Sequence, residues 1–280
     1  MAAVLPRVGC FLTDDDVAGK SEIDVEAQYN NRAAVSDHPA VMARWTAEAG
    51  AVRRARPPVE LAYGDRPREV MDLWEAGPTA PVAVFIHGGY WQALDRSWFS
   101  WIAPPLLAHG VSVAIPSYDL CPDVPLGRII HQMRAVSDAL ADRSGRAPFA
   151  FGHSAGGHLA ACLLSEGRAS AAMAISGVFD LEPLVGTSLN AALGLDASMA
   201  RALSPVNWPA PEGAMLDCVV GAAETDDFVR QSRDMAGLWA ARGVKTRFEP
   251  LEGLNHFTVL DPLGDADGVL VKRIARLVKQ

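Results

Sequence analysis

The sequence predicts an α/β fold with a mostly parallel central sheet, helices on both faces and an antiparallel N-terminal edge hairpin. The first observation behind this is a set of uninterrupted apolar runs, Val82 to Ile86 (V-A-V-F-I) the clearest, as expected of strands buried on both faces. The second is that those runs alternate with segments of helical spacing, the pattern of strand–helix–strand units. The third is a pair of earlier, shorter runs flanking a turn composition.

Taken in order, Ser36 to Ala51 has helical spacing, and Arg54 to Pro58 (R-A-R-P-P) marks where that helix must stop. Val59 to Tyr63 and Val70 to Glu75 flank Gly64 to Pro67, which predicts the hairpin. Further strands are expected at Val82 to Ile86, Val111 to Ile115, Phe149 to Phe151, Ala171 to Ile175, Leu216 to Val220 and Val244 to Glu249. Between and after them, helices are expected at Trp98 to His109, Leu126 to Arg143, Gly157 to Ser165, Asp227 to Arg242 and Ala266 to Lys279. Residues 177–214, rich in Pro, Leu and small side chains, break the alternation and are expected to form a lid or cap insertion. With 280 residues, half of them apolar, the chain has material for one large core, and a single domain over 1–280 is expected.

Acidic residues outnumber basic ones, 33 to 25, for a net charge of -8, so no basic stripe offers itself to nucleic acid or to an anionic membrane. A neutral or cationic small-molecule substrate is the expected partner, and a homodimer is left open. No window approaches the roughly 18 apolar residues of a spanning helix, and the N-terminus lacks the charged and apolar regions of a signal peptide. A soluble, cytoplasmic protein is expected. Cys10, Cys121, Cys162 and Cys218 form no Cys-x-x-Cys pair, which points away from zinc and redox chemistry. They fit a reducing compartment, and Cys162 and Cys218 read as small core fillers.

The strongest local signal is Phe149 to Ala161, where a short apolar strand runs into Gly152-His153-Ser154-Ala155-Gly156 and then a helix of small residues. This is G-x-S-x-G between strand and helix, the setting in which a tight turn exposes a nucleophilic serine. The Ala155 amide and the positive end of the following helix then face the place where an oxyanion would form. A second signal, His87-Gly88-Gly89-Tyr90-Trp91, follows the buried strand Val82 to Ile86. Its glycines let backbone approach a substrate closely, so the Gly88 and Gly89 amides are expected to complete an oxyanion hole, with His87 fixing the loop.

A base is expected after the last strand, because such folds order their triad as nucleophile, acid, histidine. His256, within Leu251 to Leu260, has that address. His153 and His158 adjoin the serine, where the turn should point them away from its hydroxyl, although His158 is also a candidate for the pocket lining. For the acid, Gly221-Ala222-Ala223-Glu224-Thr225-Asp226-Asp227 offers three carboxylates. Glu224, three residues past the glycine, is favoured over Asp226 and Asp227, which suit a helix N-terminus.

With these residues placed, the chain resembles the arylformamidase (kynurenine formamidase) branch of the α/β-hydrolases, itself similar to hormone-sensitive-lipase-type esterases. The resemblance runs from about Glu26 onward. It rests on His87 to Trp91, Glu26-Ala27-Gln28-Tyr29, Gly152 to Gly156, Phe228 to Ser232 and Asn255-His256-Phe257. H-G-G-Y-W discriminates best, since general esterases more often carry H-G-G-G or H-G-G-A. One departure is Glu224, where such formamidases carry aspartate. The resemblance implies an α/β-hydrolase fold and a serine hydrolase that needs neither metal nor organic cofactor. In it Ser154 attacks a formyl or ester carbonyl, His256 moves the proton, and Gly88, Gly89 and Ala155 hold the oxyanion. Tyr90, Trp91 and Tyr118 suit contact with an aromatic substrate and equally suit the core. An aryl formamidase is the leading expectation. A carboxylesterase for small or aromatic esters is the alternative, and a non-catalytic binding scaffold is a third.

Overall fold

A computed structural model describes residues 24–279. Cys10 and the N-terminal residues read for a signal peptide lie outside the described residues, as does the start of the 1–280 domain. The strands are β1 (Val59–Ala62), β2 (Val70–Trp74), β3 (Val82–Ile86), β4 (Ser112–Pro116), β5 (Phe149–His153), β6 (Ala172–Ile175), β7 (Met215–Gly221) and β8 (Lys245–Leu251). They form one eight-stranded sheet in the order β1-β2-β4-β3-β5-β6-β7-β8. β1 and β2 pair antiparallel at the edge, β2 pairs antiparallel with β4, and the pairings from β4 through β8 are parallel. The expected fold and edge hairpin are therefore the observed ones.

The helices are α1 (Val25–Tyr29), α2 (Asn31–Ala34), α3 (His38–Ala55), α4 (Ala103–Ala108), α5 (Leu126–Ser144), α6 (Ala155–Ser165), α7 (Asn190–Leu193), α8 (Ala197–Leu203), α9 (Asp226–Ala240) and α10 (Val269–Leu277). Strand side chains alternate between two cores, as a period of two requires. Val82, Val84 and Ile86 pack with the apolar sides of α5, α6 and α9, while Ala83 and Phe85 pack with those of α3, α4 and α10.

One expected helix is broken. Trp98 to His109 becomes two 3-10 turns, Arg96–Trp98 and Ser100–Ile102, followed by the short α4. The cause is Pro104 and Pro105, which carry no amide hydrogen and are tolerated only in a helix's first turn, so α4 begins at Ala103. Residues 177–214 enter between β6 and β7 as two 3-10 turns, Glu182–Gly186 and Pro205–Asn207, with α7 and α8 between them. Among the described residues no helix is long and apolar enough to cross a membrane.

The parallel register decides where chemistry collects. Ile86 lies beside Gly152, His153 beside Ile175, Ile175 beside Val219, and Val219 beside Glu249, so the loops leaving β3, β5, β6, β7 and β8 emerge at one end of the sheet.

Candidate active site

Ser154 stands between β5 and α6 with φ 55° and ψ −117°, a backbone region that non-glycine residues rarely occupy. The turn is pinned on both sides. Ser154 N donates to Ile175 O at 2.8 Å, while Ser154 O accepts from Gly157 N at 2.9 Å and His158 N at 3.2 Å. The glycines of the motif have no room for anything larger. A β-carbon on Gly156 would strike the carbonyl of Ile86, and one on Gly152 would strike that of Gly156. Strand β3 thus presses directly against the turn, which brings the H-G-G-Y-W loop to the serine.

That loop is a run of left-handed backbone, with φ 101° at Gly89, 49° at Tyr90 and 57° at Trp91. Such φ values disfavour tyrosine and tryptophan by about 1–3 kcal/mol each, so the surroundings must hold them. Tyr90 Oη donates to Tyr29 O at 2.7 Å, and Cys121 N donates to Trp91 O at 2.7 Å. His87 is fully buried and stacked on Tyr118 with ring centres 4.2 Å apart, and its Nδ1 lies 2.8 Å from Gly88 O. Burial lowers its pKa to about 4, so it is a neutral structural ring. Gly88 abuts the serine, since a β-carbon there would stand 3.1 Å from Ser154 Cβ. Among the described residues no backbone carbonyl accepts the amides of Gly88, Gly89 or Ala155.

The loops after β7 and β8 bring Glu224 and His256 together. Glu224 Oε2 is 2.6 Å from His256 Nδ1, and both side chains are buried. Its other oxygen accepts from Ser176 Oγ at 2.5 Å and from Gly221 N at 2.7 Å, so the carboxylate has no freedom to turn. Asp226 and Asp227 occupy the first turn of α9, whose N-cap is Thr225, and Asp227 pairs with Arg230 at 2.9 Å.

A cavity of about 360 Å³ opens over this end of the sheet, walled by His153, Ser154, His256, Gly89 and Tyr90. Ser154 is only 2% exposed, so its hydroxyl sits on the cavity floor rather than on open surface. The outer wall comes from α1 and α2 and from Ser188 and Leu189 of the 177–214 insertion. Three residues expected at the pocket lie behind it. Trp91 is buried edge-on to His158, with ring centres 5.0 Å apart. Tyr118 donates to His87 O at 2.8 Å, and His158 Nε2 meets Leu203 O at 2.8 Å. Aromatic character suits Trp91 and Tyr118 to a pocket and to the core alike, and adjacency to the serine offers His158, but the left-handed loop turns Trp91 inward, and α6 aims His158 at Leu203 of the insertion.

Sequence reasoning passed over two residues. His153, expected to point away, lines the cavity, and its Nε2 lies 2.7 Å from His256 O. Ser176 holds Glu224, and only its place just after β6 hints at this. The pieces E-A-Q-Y and F-V-R-Q-S also meet. Gln231 Nε2 donates to Tyr29 Oη at 2.7 Å, and its Oε1 accepts from Phe179 N at 2.6 Å and Asp180 N at 2.8 Å. One amide thus ties α1, α9 and the start of the insertion together.

With this geometry in place, the chain can be set beside known proteins. No family model matches it. It is 32% identical over 226 residues to a kynurenine formamidase of Drosophila melanogaster, a match spanning 72% of this chain and 75% of that one. The chain belongs to the kynurenine formamidase family. A second family member, from Danio rerio, is 28% identical over 240 residues, covering 79% of this chain and 81% of the relative. A Silicibacter structure described as a candidate thioesterase superposes with a TM-score of 0.81 at 33% identity, covering 90% of this chain and 99% of that one. A hormone-sensitive-lipase homologue from a metagenome library, 18% identical with a TM-score of 0.67, covers 91% of this chain and 96% of its own, and shares the fold. The formamidase-family chain is accordingly an enzyme, a hydrolase on an α/β-hydrolase fold.

Proposed function

We propose that this enzyme hydrolyses an aryl formamide through a formyl-enzyme intermediate, with Ser154 as nucleophile, His256 as general base and Glu224 as the acid that orients it. The observation that carries the reading is the pair His256–Glu224 at 2.6 Å, opening on the same cavity as a serine held in a strained strand-to-helix turn. Glu224 accepts the Nδ1 proton, which leaves Nε2 unprotonated and able to take the Ser154 proton. The oxygen of Ser154 then attacks the formyl carbon, and the amides of Gly88, Gly89 and Ala155 receive the oxyanion. His256 passes its proton to the departing arylamine, after which water, deprotonated by the same ring, releases formate. Each proton leaves His256 as it arrived, so no cofactor enters the balance.

Kinship to formamidases at 32% and 28% identity favours the formamide over an ester. Tyr90 on the cavity wall offers a face to an aryl group. Residues 177–214 act in this reading as a cap, fixed rather than hinged, since Gln231 and Glu26 tether them. Buried, unpaired Cys121, Cys162 and Cys218 suit a cytoplasmic setting. The test is a comparison of kcat/KM for N-formyl arylamines against short aryl esters. Formamides are expected to be the better substrates, and turnover of esters alone would replace the formamidase assignment by an esterase one.

A further inference from the structure

The short helix α1 ends in two carbonyls, those of Gln28 and Tyr29, that receive no backbone amide among the described residues. Each accepts instead from a loop of the candidate site. Tyr90 Oη donates to Tyr29 O at 2.7 Å, and Thr225 Oγ1 donates to Gln28 O at 2.7 Å. Tyr90 stands in the left-handed run of the H-G-G-Y-W loop, and Thr225 directly follows Glu224. Two adjacent residues at one helix end thus hold the loops that leave β3 and β7.

The hold on the second loop is double. Thr225 is the N-cap of α9, yet its side chain makes no capping bond, because its hydroxyl is turned to α1. Gln28 Oε1 takes that place and accepts from Asp227 N, in the first turn of α9, at 3.1 Å. A side chain from the start of the described chain therefore caps the helix that begins just past Glu224. The ring of Tyr29 also packs on Phe228 with centres 5.8 Å apart, and Phe228 packs on His256 at 4.5 Å, so the same helix end backs the proposed base.

The hold on the first loop runs through one hydroxyl. Its hydrogen is committed to Tyr29 O, and its oxygen accepts from Asn31 Nδ2 at 3.4 Å. Burial drives the Tyr90 pKa up, so the donor keeps its proton. With φ 49°, Tyr90 occupies backbone that a tyrosine leaves readily once released, and Gly88 and Gly89 immediately precede it.

We infer that the last turn of α1 is a positioning clamp, in which the Tyr90 hydroxyl fixes the oxyanion loop and Gln28 fixes the acid loop, so that both meet Ser154 at one set separation. This deepens the reading above and rests on it for the roles of Gly88, Gly89 and Glu224. Gln28 and the Tyr90 hydroxyl act through the groups they hold. The ring of Tyr90 remains free to meet substrate, which separates its two duties experimentally.

The test is steady-state kinetics of the parent, Tyr90→Phe, Gln28→Ala, Gln28→Glu and the double variant Tyr90→Phe/Gln28→Ala, with formanilide and with phenyl acetate, each protein checked for folding by its thermal midpoint. Tyr90→Phe keeps the ring and deletes the donor. Each of Tyr90→Phe and Gln28→Ala is expected to lower kcat about 10- to 100-fold with KM little altered, the signature of misplaced reacting groups. Gln28→Glu keeps an acceptor for Asp227 N and is expected to recover part of the loss. The double variant is expected to lose less than the product of the two single losses, because both bonds belong to one helix end. Parental kcat in either folded single variant, a loss confined to KM, or a double loss equal to the product overturns the clamp. If only phenyl acetate turns over and its kcat falls as described, the clamp stands and the formamide reading fails. If formanilide turns over with kcat indifferent to both substitutions, the reverse holds.

Discussion

His153 Nε2 lies 2.7 Å from the backbone carbonyl oxygen of His256, and the two imidazole rings are 4.7 Å apart between centres. A carbonyl only accepts, so Nε2 of His153 carries the hydrogen. The residue beside the proposed nucleophile thus holds the loop that delivers the proposed base. Burial, with a smaller push from His256, drives the His153 pKa well below its ordinary value, so this donor is a neutral ring.

Removing that tether should loosen His256 without removing it. His153→Phe keeps a ring in the space and deletes the donor. A kcat lowered about 10- to 100-fold is expected from misplacement of a reacting group by a fraction of an ångström, with KM little altered. His153→Gln should recover part of the loss, since its amide can donate to the same carbonyl. Equal kcat in parent and His153→Phe would remove His153 from any part in positioning.

Glu224 should matter for its charge and for its grip. Glu224→Gln keeps the shape but supplies an amide that cannot accept the His256 Nδ1 proton in the same orientation if its NH2 group faces the ring. By analogy with triads in general, kcat should fall about 10⁴-fold. Ser176→Ala removes one of the two hydrogen bonds on Oε1 and should lower kcat by only about 10-fold, because Gly221 N still holds that oxygen. The check is formate release under saturating substrate. Parental turnover in Glu224→Gln would return the choice to Asp226 or Asp227.

Stability should fall on acidification before the carboxylates titrate. Burial keeps His87, His153 and His158 neutral, with His87 and His158 lowered to about 4 from an ordinary 6.5. Below pH 6.5 the unfolded chain takes up protons that the folded chain refuses, so stability is fully present above that pH and declines from 6.5 toward 4. Urea midpoints should be level from pH 8 to 7 and drop steadily from 6 to 4.5, with a shallower drop in His158→Asn. A midpoint that stays level to pH 5 would mean that these rings are not buried as described.

Much of the fold was legible because burial on both faces writes itself into sequence. Val82 to Ile86 can be little else than a central strand, and the turns around Gly64 and Gly152 set the boundaries. The approach of three distant loops was legible through order alone, since serine, acid and histidine each follow a strand of one parallel sheet. Side-chain direction was not. Trp91 and Tyr90 are neighbours in one motif, yet a left-handed backbone sends one into the core and the other to the cavity. His153 and His158 flank one serine, and only the path of the loop after β8 decides that the first meets His256. The prolines that break Trp98 to His109 were readable, but the apolar spacing around them outweighed their missing amides.

The proposal depends most on Ser154 acting as a covalent nucleophile. The decisive measurement is formate release from N-formyl arylamines by the parent and by Ser154→Ala, with the thermal midpoint confirming that the variant is folded. A loss of at least about a thousandfold is expected, because removal of one triad member typically forfeits that much. Formate release at or near the parental rate from folded Ser154→Ala would contradict the serine mechanism and send the search for the reacting group elsewhere in the cavity.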